Sequence, residues 1–214
     1  RVQRRVKEGA SPESDLLLAA KIFANERYPL TKDVAKVAPR ASTGIIKVAY
    51  LCGEFRDQAT SVLMTGIYEA HDPEKFEIYA LDNGWSDGGV LRSRMERVFK
   101  EIIDISKMPD LSVAQLIKTL NIDILINLNG YFGEARSNVF AQHAAPIQVN
   151  FLGFPGTLGL PFIDYLIADK VTIPPELQHH YREKILYLPH CYLPRDTSVV
   201  PAPETPLKST FGLP

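Results

Sequence analysis

"IKVAYLCGEFRDQATSVLM", Ile46 to Met64, passes from an apolar run through a charged loop into a second apolar run. Residues 45–51, "IIKVAYL", are apolar and rich in β-branched side chains, which suits a buried strand. Residues 60–70, "TSVLMTGIYEA", suit an apolar helix. Strand, short loop and helix make the first half of a βαβ unit. The loop between them carries Glu54, Arg56, Asp57, Gln58, Thr60 and Ser61. In an open α/β sheet such a loop leaves the carboxyl end of a strand, where ligands bind.

Outward from this stretch the alternation continues. Strands are expected at 76–82, 100–106, 122–128, 146–153, 164–169 and 184–189. Helices are expected at 91–98, 111–120 and 137–143, the second with Leu111, Val113, Ala114, Ile117 and Leu120 on its apolar face. "IDILINL" (122–128) is almost wholly apolar, as in a strand buried on both faces of a parallel sheet. The pattern predicts an α/β fold, a doubly wound parallel sheet. Residues 12–28 predict a preceding helix, with Ser11 as cap and a stripe of Leu16, Ala19, Ala20 and Phe23. Pro29, Pro39 and Gly44 predict a linker up to residue 44. The sheet-forming unit is then 45–193, and the proline-rich tail 194–214 is expected to be an interdomain linker.

Composition sets the outer limits. Lys and Arg number 24 and Asp and Glu 25, a net charge of −1 over 214 residues, which gives no general attraction for nucleic acid or an anionic membrane. No apolar run approaches the ~20 residues of a membrane helix, and no signal-peptide core follows the basic N-terminus. A cytoplasmic protein is expected. Cys52 and Cys191 have no CxxC or neighbouring His and are expected to be buried free thiols. The first residue is Arg1 and the last Pro214, so the chain is expected to belong to a longer one.

Three loops fall at the carboxyl edge. The first, 52–61, ends in Thr60 and Ser61, which either cap the next helix or help its N–H groups hold an anion. Neither GxGxxG nor GxxxxGK[ST] occurs, which speaks against a dinucleotide oxidoreductase or a P-loop enzyme. The second, "NGYFGEAR" (129–136), offers Tyr131 and Phe132 as core or as a stacking surface, and Arg136 as a fork for phosphate. The third, "LGFPGTLG" (152–159), is a rigid turn whose exposed amides suit a closely approaching ligand. Glu54, Asp57 and Glu134 are the candidate bases. His71 follows a helix end, and His179 and His180 fall in a polar stretch without a third zinc ligand.

"GEFRDQATSVLM", "NLNGYFGEAR", "APIQVNFLGFPGTLG", "DYLIAD" and "YREKILYLPHCY" together resemble the catalytic region of the O-linked N-acetylglucosamine transferases and SPINDLY proteins, glycosyltransferase family 41. The resemblance runs in order from about Ile46 to Tyr192. It implies a GT-B fold of two Rossmann-like lobes, here the N-terminal, acceptor-side lobe after a region of helical repeats and before a missing C-terminal lobe. It implies inverting, metal-independent transfer to protein Ser/Thr hydroxyls from a nucleotide sugar such as UDP-GlcNAc, with no resident cofactor. By position it implies that Tyr131, Leu152 and Gly153, with Pro155 beside them, line the sugar pocket. It puts Thr60, with Ser61, near the diphosphate and Glu54 behind the site.

One position departs from the family pattern. Where the family has D-F-x-x-H-P-T-S, this chain has Glu54-Phe55-Arg56-Asp57-Gln58-Ala59-Thr60-Ser61, so Gln58 stands in the histidine's place. An amide positions groups by hydrogen bonds and takes no proton at neutral pH. A non-catalytic module that keeps the fold is therefore the competing reading.

Overall fold

A computed structural model describes residues 12–29, 34–40, 44–133, 135–200 and 206–212. In chain order the elements are α1 (Pro12–Arg27), β1 (Ile46–Cys52), α2 (Ala59–Glu69), β2 (Phe76–Asp82), α3 (Val90–Val98), β3 (Glu101–Asp104), α4 (Asp110–Thr119), β4 (Ile124–Asn127), α5 (Ser137–Ala141), β5 (Ile147–Asn150), β6 (Tyr165–Ala168) and β7 (Lys184–Tyr187). The strands form one seven-stranded sheet in the order β3-β2-β1-β4-β5-β6-β7. Every pairing is parallel, with Ile46 opposite Phe76 and Leu51 opposite Asn127.

Alternation along the strands sorts the core into two layers. On one face Val48, Tyr50, Ile78, Ala80 and Ile126 pack with Met64 and Tyr68 of α2 and Met95 of α3. On the other, Ala49, Leu51, Leu81 and Leu125 pack with Val113, Ala114 and Ile117 of α4 and Phe140 of α5. Helices on both faces account for the near-continuous apolar strands. Leu111 is the exception to the expected α4 face: it is 68% exposed, a position before the buried stripe begins.

Both flanks of the sheet unit are tied down. Lys36 pairs with Asp164 at 2.5 Å and Arg40 with Asp123 at 2.6 Å, which fixes 34–40 to the amino edge of the sheet. In the tail, Arg94 of α3 holds Asp196 at 2.6 Å and Glu69 of α2 at 2.6 Å. The tail thus begins as an anchored segment, and Asp196 is buried. The Ser11 cap lies outside the described residues. Two further corrections concern reactive side chains. Cys191 is exposed, whereas burial pushes the Cys52 thiol up to about 12. His180 is buried in a short 3₁₀ turn, Pro175–His180, although the stretch around it is polar. Among the described residues no helix is long and apolar enough to cross a membrane.

Candidate functional site

From β1 the chain moves outward to β2 and β3, then returns to place β4 on β1's other side. The loops after β1 and β4 therefore part company between these strands and open a crevice at the carboxyl edge. Asparagines stitch its floor. Asn129 accepts the Gly53 amide at 3.1 Å, joining the first loop to the second. Asn127 accepts the amides of Asn129 and Gly130 at 3.1 and 3.2 Å. Asn150, opposite Asn127 in register, donates to the Phe154 carbonyl at 3.0 Å. The Asn150 Oδ1 is buried without a partner.

The first loop is nailed down at several points. Phe55 is buried against Tyr68 and Phe99. Buried Arg92 donates to the Phe55 carbonyl at 3.1 Å and to Asp82 at 2.5 Å. The Glu54 carboxylate accepts the Thr60 amide at 3.3 Å, taking one free N–H of the α2 amino end. The Asp57 amide donates to Asp87 at 2.8 Å. Gln58 is the extended N-cap residue of α2, exposed, with no capping bond from its side chain. The first turn of α2 carries no acidic side chain, so its positive end is not neutralised from within the helix.

The third loop meets the second through Gly153. A Cβ there would stand 2.2 Å from the Leu128 carbonyl oxygen, so only glycine permits this approach. Leu152 just before it has φ +68°, and the Gly153 amide donates to the Phe151 carbonyl at 2.8 Å. This tight three-residue turn, with a branched side chain in the left-handed region, is a strained form. Glu183, buried ahead of β7, accepts the Thr157 hydroxyl at 2.6 Å and the Leu158 amide at 2.8 Å and holds the loop's far end. Burial pushes its carboxyl above the ordinary range.

The loops converge as expected, but not every side chain does. Gln58, Asp57 and Pro155 are exposed, and Thr60, Leu152 and Gly153 are half-buried at the edge. Ser61 turns inward: its hydroxyl donates to the Glu54 carbonyl and it is 1% exposed. It is tied into the fold beneath the loop and is not at the surface of the crevice. Arg136 is likewise spent. Its guanidinium reaches Asp110 at 2.5 Å, Asn83 at 2.7 Å and the carbonyls of Ile105 at 3.1 Å and Met108 at 2.7 Å. That is a clamp across three loops, which removes it from phosphate binding. Tyr131 is half-buried under α1, 5.2 Å from Phe23 and stacked on Tyr28 at 6.2 Å between ring centres. Its hydroxyl donates to the Leu158 carbonyl at 2.5 Å. Burial pushes that hydroxyl's pKa up. Glu134 lies outside the described residues. Among them no cluster of His, Cys, Asp or Glu is placed to hold a metal ion.

Sequence reading passed over Asn127, Asn129 and Asn150. The signal was present: a buried strand whose last apolar residue is followed by Asn marks where pairing stops and loop building starts. It also passed over Trp85, the one tryptophan, flanked by Gly84 in the loop after β2.

An all-parallel sheet wound on both faces, with its crevice at the switch of strand order, defines a Rossmann-like lobe. The chain belongs to Glycosyl transferase family 41, whose pattern it matches over residues 13–200. It is 36% identical over 174 residues, 79% of this chain, to a protein of Arabidopsis thaliana named probable UDP-N-acetylglucosamine–peptide N-acetylglucosaminyltransferase SEC. It is 37% identical over 148 residues, 69% of this chain, to the UDP-N-acetylglucosamine–peptide N-acetylglucosaminyltransferase of Caenorhabditis elegans. A solved mutant O-GlcNAc transferase of Thermobaculum terrenum superposes with a TM-score of 0.74 at 28% identity, over 85% of this chain and 34% of that one. The chain spans 18% and 13% of the two curated relatives' lengths.

Proposed function

We propose that this chain is the N-terminal, acceptor-side lobe of an inverting, metal-independent protein O-glycosyltransferase that transfers GlcNAc from UDP-GlcNAc to Ser or Thr hydroxyls. The observation that carries the proposal is the junction at Asn129 and Gly153, which brings the loops after β1, β4 and β5 to one crevice in a chain of family 41. A C-terminal lobe would close the other side and hold most of the nucleotide. Helical repeats would precede α1, and the setting would be the cytoplasm.

In the reaction the acceptor oxygen attacks the anomeric carbon from the face opposite the leaving group. The new C–O bond forms as the bond to the diphosphate oxygen breaks, and UDP departs with that electron pair. The acceptor's proton has to leave as attack proceeds. Gln58 at the crevice rim can donate to or accept from the reacting groups, but its amide takes no proton. Glu54 is committed to the Thr60 amide, and Asp57 is the exposed carboxylate on the same loop. Asp57, or the donor's own phosphate oxygens, would receive the proton. The open end of α2, from Gln58 to Thr60, would face the diphosphate. Leu152, Gly153 and Pro155 would border the sugar, with Tyr131 supporting them from beneath α1.

Incubating the full-length protein with labelled UDP-GlcNAc and an acceptor lysate tests this: covalent label on protein is expected, and retained binding without label would reject transfer. The 214-residue chain alone should bind UDP-GlcNAc only weakly, since a good site buries about 70–90% of its ligand and half a cleft does not. Micromolar affinity by calorimetry would reverse the assignment of the lobes. Gln58 favours one second reading, a module that binds glycan or protein without transferring sugar.

A further inference from the structure

On the β2 side of the crevice stands a cation without a counter-ion among the described residues. Arg56 lies flat on Trp85, with its guanidinium carbon 3.5 Å from the ring centre. Its Nη1 donates to the Gly53 carbonyl, and its Nε is buried without a partner. The remaining nitrogen, Nη2, makes no bond within the described residues. Among the described residues no carboxylate pairs with Arg56, whereas Arg40, Arg92, Arg94 and Arg136 each have one. Trp85 is 64% exposed, an unusual state for the bulkiest apolar side chain.

The surroundings hold this pair in place. A Cβ at Gly84 would stand 2.3 Å from the Gly53 carbonyl oxygen and 2.6 Å from Arg56 Nη1. Any side chain there would drive the guanidinium off its seat. Asp87 locks the same loop to the first by accepting the Asp57 amide at 2.8 Å and the Gly89 amide at 2.9 Å. Arg56 is thus two residues from Gln58, immobilised on one edge and stacked on one face. A stacked, half-desolvated guanidinium with one open edge is preorganised for an oxygen anion. The open face of the indole beside it suits an extended, partly apolar chain.

We propose that Arg56 and Trp85 form a subsite for the acceptor polypeptide, in which Arg56 pairs with an acidic side chain near the hydroxyl to be modified and Trp85 supports the adjoining backbone. This rests on the reading of the chain as the acceptor-side lobe. The occupant is a carboxylate on a polypeptide because Arg56, without a carboxylate partner among the described residues, complements an acidic group, and the exposed indole beside it suits an extended chain.

The test uses the full-length protein and two Ser-containing peptides that differ only in Asp or Ala two to three residues from the acceptor. Transfer kinetics and the tryptophan emission that disappears in Trp85→Phe are read in parallel. The Asp peptide should be preferred by roughly 10-fold in kcat/KM and should perturb the Trp85 emission at lower concentration, as expected for a bond to a charged group. Arg56→Gln should collapse that preference, and Arg56→Lys should restore part of it. Equal use of both peptides by the wild type overturns the proposal. So does a rise in the UDP-GlcNAc KM in Arg56→Gln with the peptide preference intact, which would assign Arg56 to the donor. Absence of any transfer with the emission preference retained would sink the enzyme reading while supporting the subsite.

Discussion

Arg56 and Arg136 occupy equivalent places, each in a loop leaving the carboxyl end of a central strand, yet they have opposite fates. Arg136 is held by Asp110, Asn83 and two carbonyls. Arg56 has one carbonyl and an aromatic face. Residue type and loop position do not separate a clamp from a binding group; the tally of partners does. The second loop spends its cation on holding the crevice together, and this leaves the first loop free to use its own at the surface.

The sharpest way to break this contrast is to remove the clamp. Arg136→Ala should lower stability by about 2–4 kcal/mol, because a partly buried carboxylate and several acceptors lose their donor together. Thermal or denaturant unfolding would show it, at about 2–4 °C per kcal/mol for a chain of this size. Arg136→Lys should recover less than half, since an ammonium cannot span the same acceptors. Arg56→Ala in the same measurement should lower stability by about 1 kcal/mol, the size of one hydrogen bond or one exposed cation–π contact. Comparable losses at both sites would erase the distinction.

At Gln58 the expected effect is on turnover. Gln58→Ala should slow the full-length enzyme about 10- to 100-fold, the loss expected for one or two positioning hydrogen bonds of ~1–1.5 kcal/mol each. Gln58→His should be tolerated between pH 6 and 9. An inactive parent revived by Gln58→His would mean that the module reading holds. Full activity in Gln58→Ala would remove the first loop from the chemistry.

The smallest effect concerns the third loop. Burial lifts the Glu183 carboxyl above its ordinary 4.5, so the folded chain retains a proton that the unfolded chain has released. Stability therefore falls as pH rises from the ordinary value through the raised one. Glu183→Gln has no proton to lose. Denaturant midpoints should show its stability relative to wild type improving as pH rises across that window. A flat difference would mean that Glu183 titrates normally.

Much of the sheet was legible in the sequence because its strands are buried on both faces and need no cleverer signal than apolar runs. "FEIYALD" reads as a strand at 76–82 and is one. "IDILINL" shortens to Ile124–Asn127, since Asn127 turns its side chain to the loop amides and ends the ladder. That the loops gather at the carboxyl edge followed from the alternation, whereas the strand order that opens the crevice is seen only in the sheet itself. The direction of individual side chains did not follow from the alternation either. Ser61 folds back on a carbonyl seven residues earlier, and Arg136 finds Asp110 and Met108 more than 25 residues away, so no local pattern announces either. Tyr131 lies against α1, through contacts with Phe23 and Tyr28 that span over a hundred positions, and this too has no local signal.

That last contact bears on where the chain can be cut. The sheet unit looks separable at Gly44, but α1 roofs the second and third loops: Phe23 meets the Tyr131 ring, and the α1 backbone at Ala20 comes so close to position 159 that a Cβ there would stand 2.6 Å from it. Leu16, Phe23, Tyr131 and Phe154 border a shared apolar cavity of about 360 Å³. Trimming the chain to begin at β1 would remove the α1 wall of that cavity and strip Tyr131 of two of its three aromatic neighbours, Phe23 and Tyr28. A boundary drawn ahead of Pro12 would therefore keep the sheet unit together with the helix that shields two of its three crevice loops.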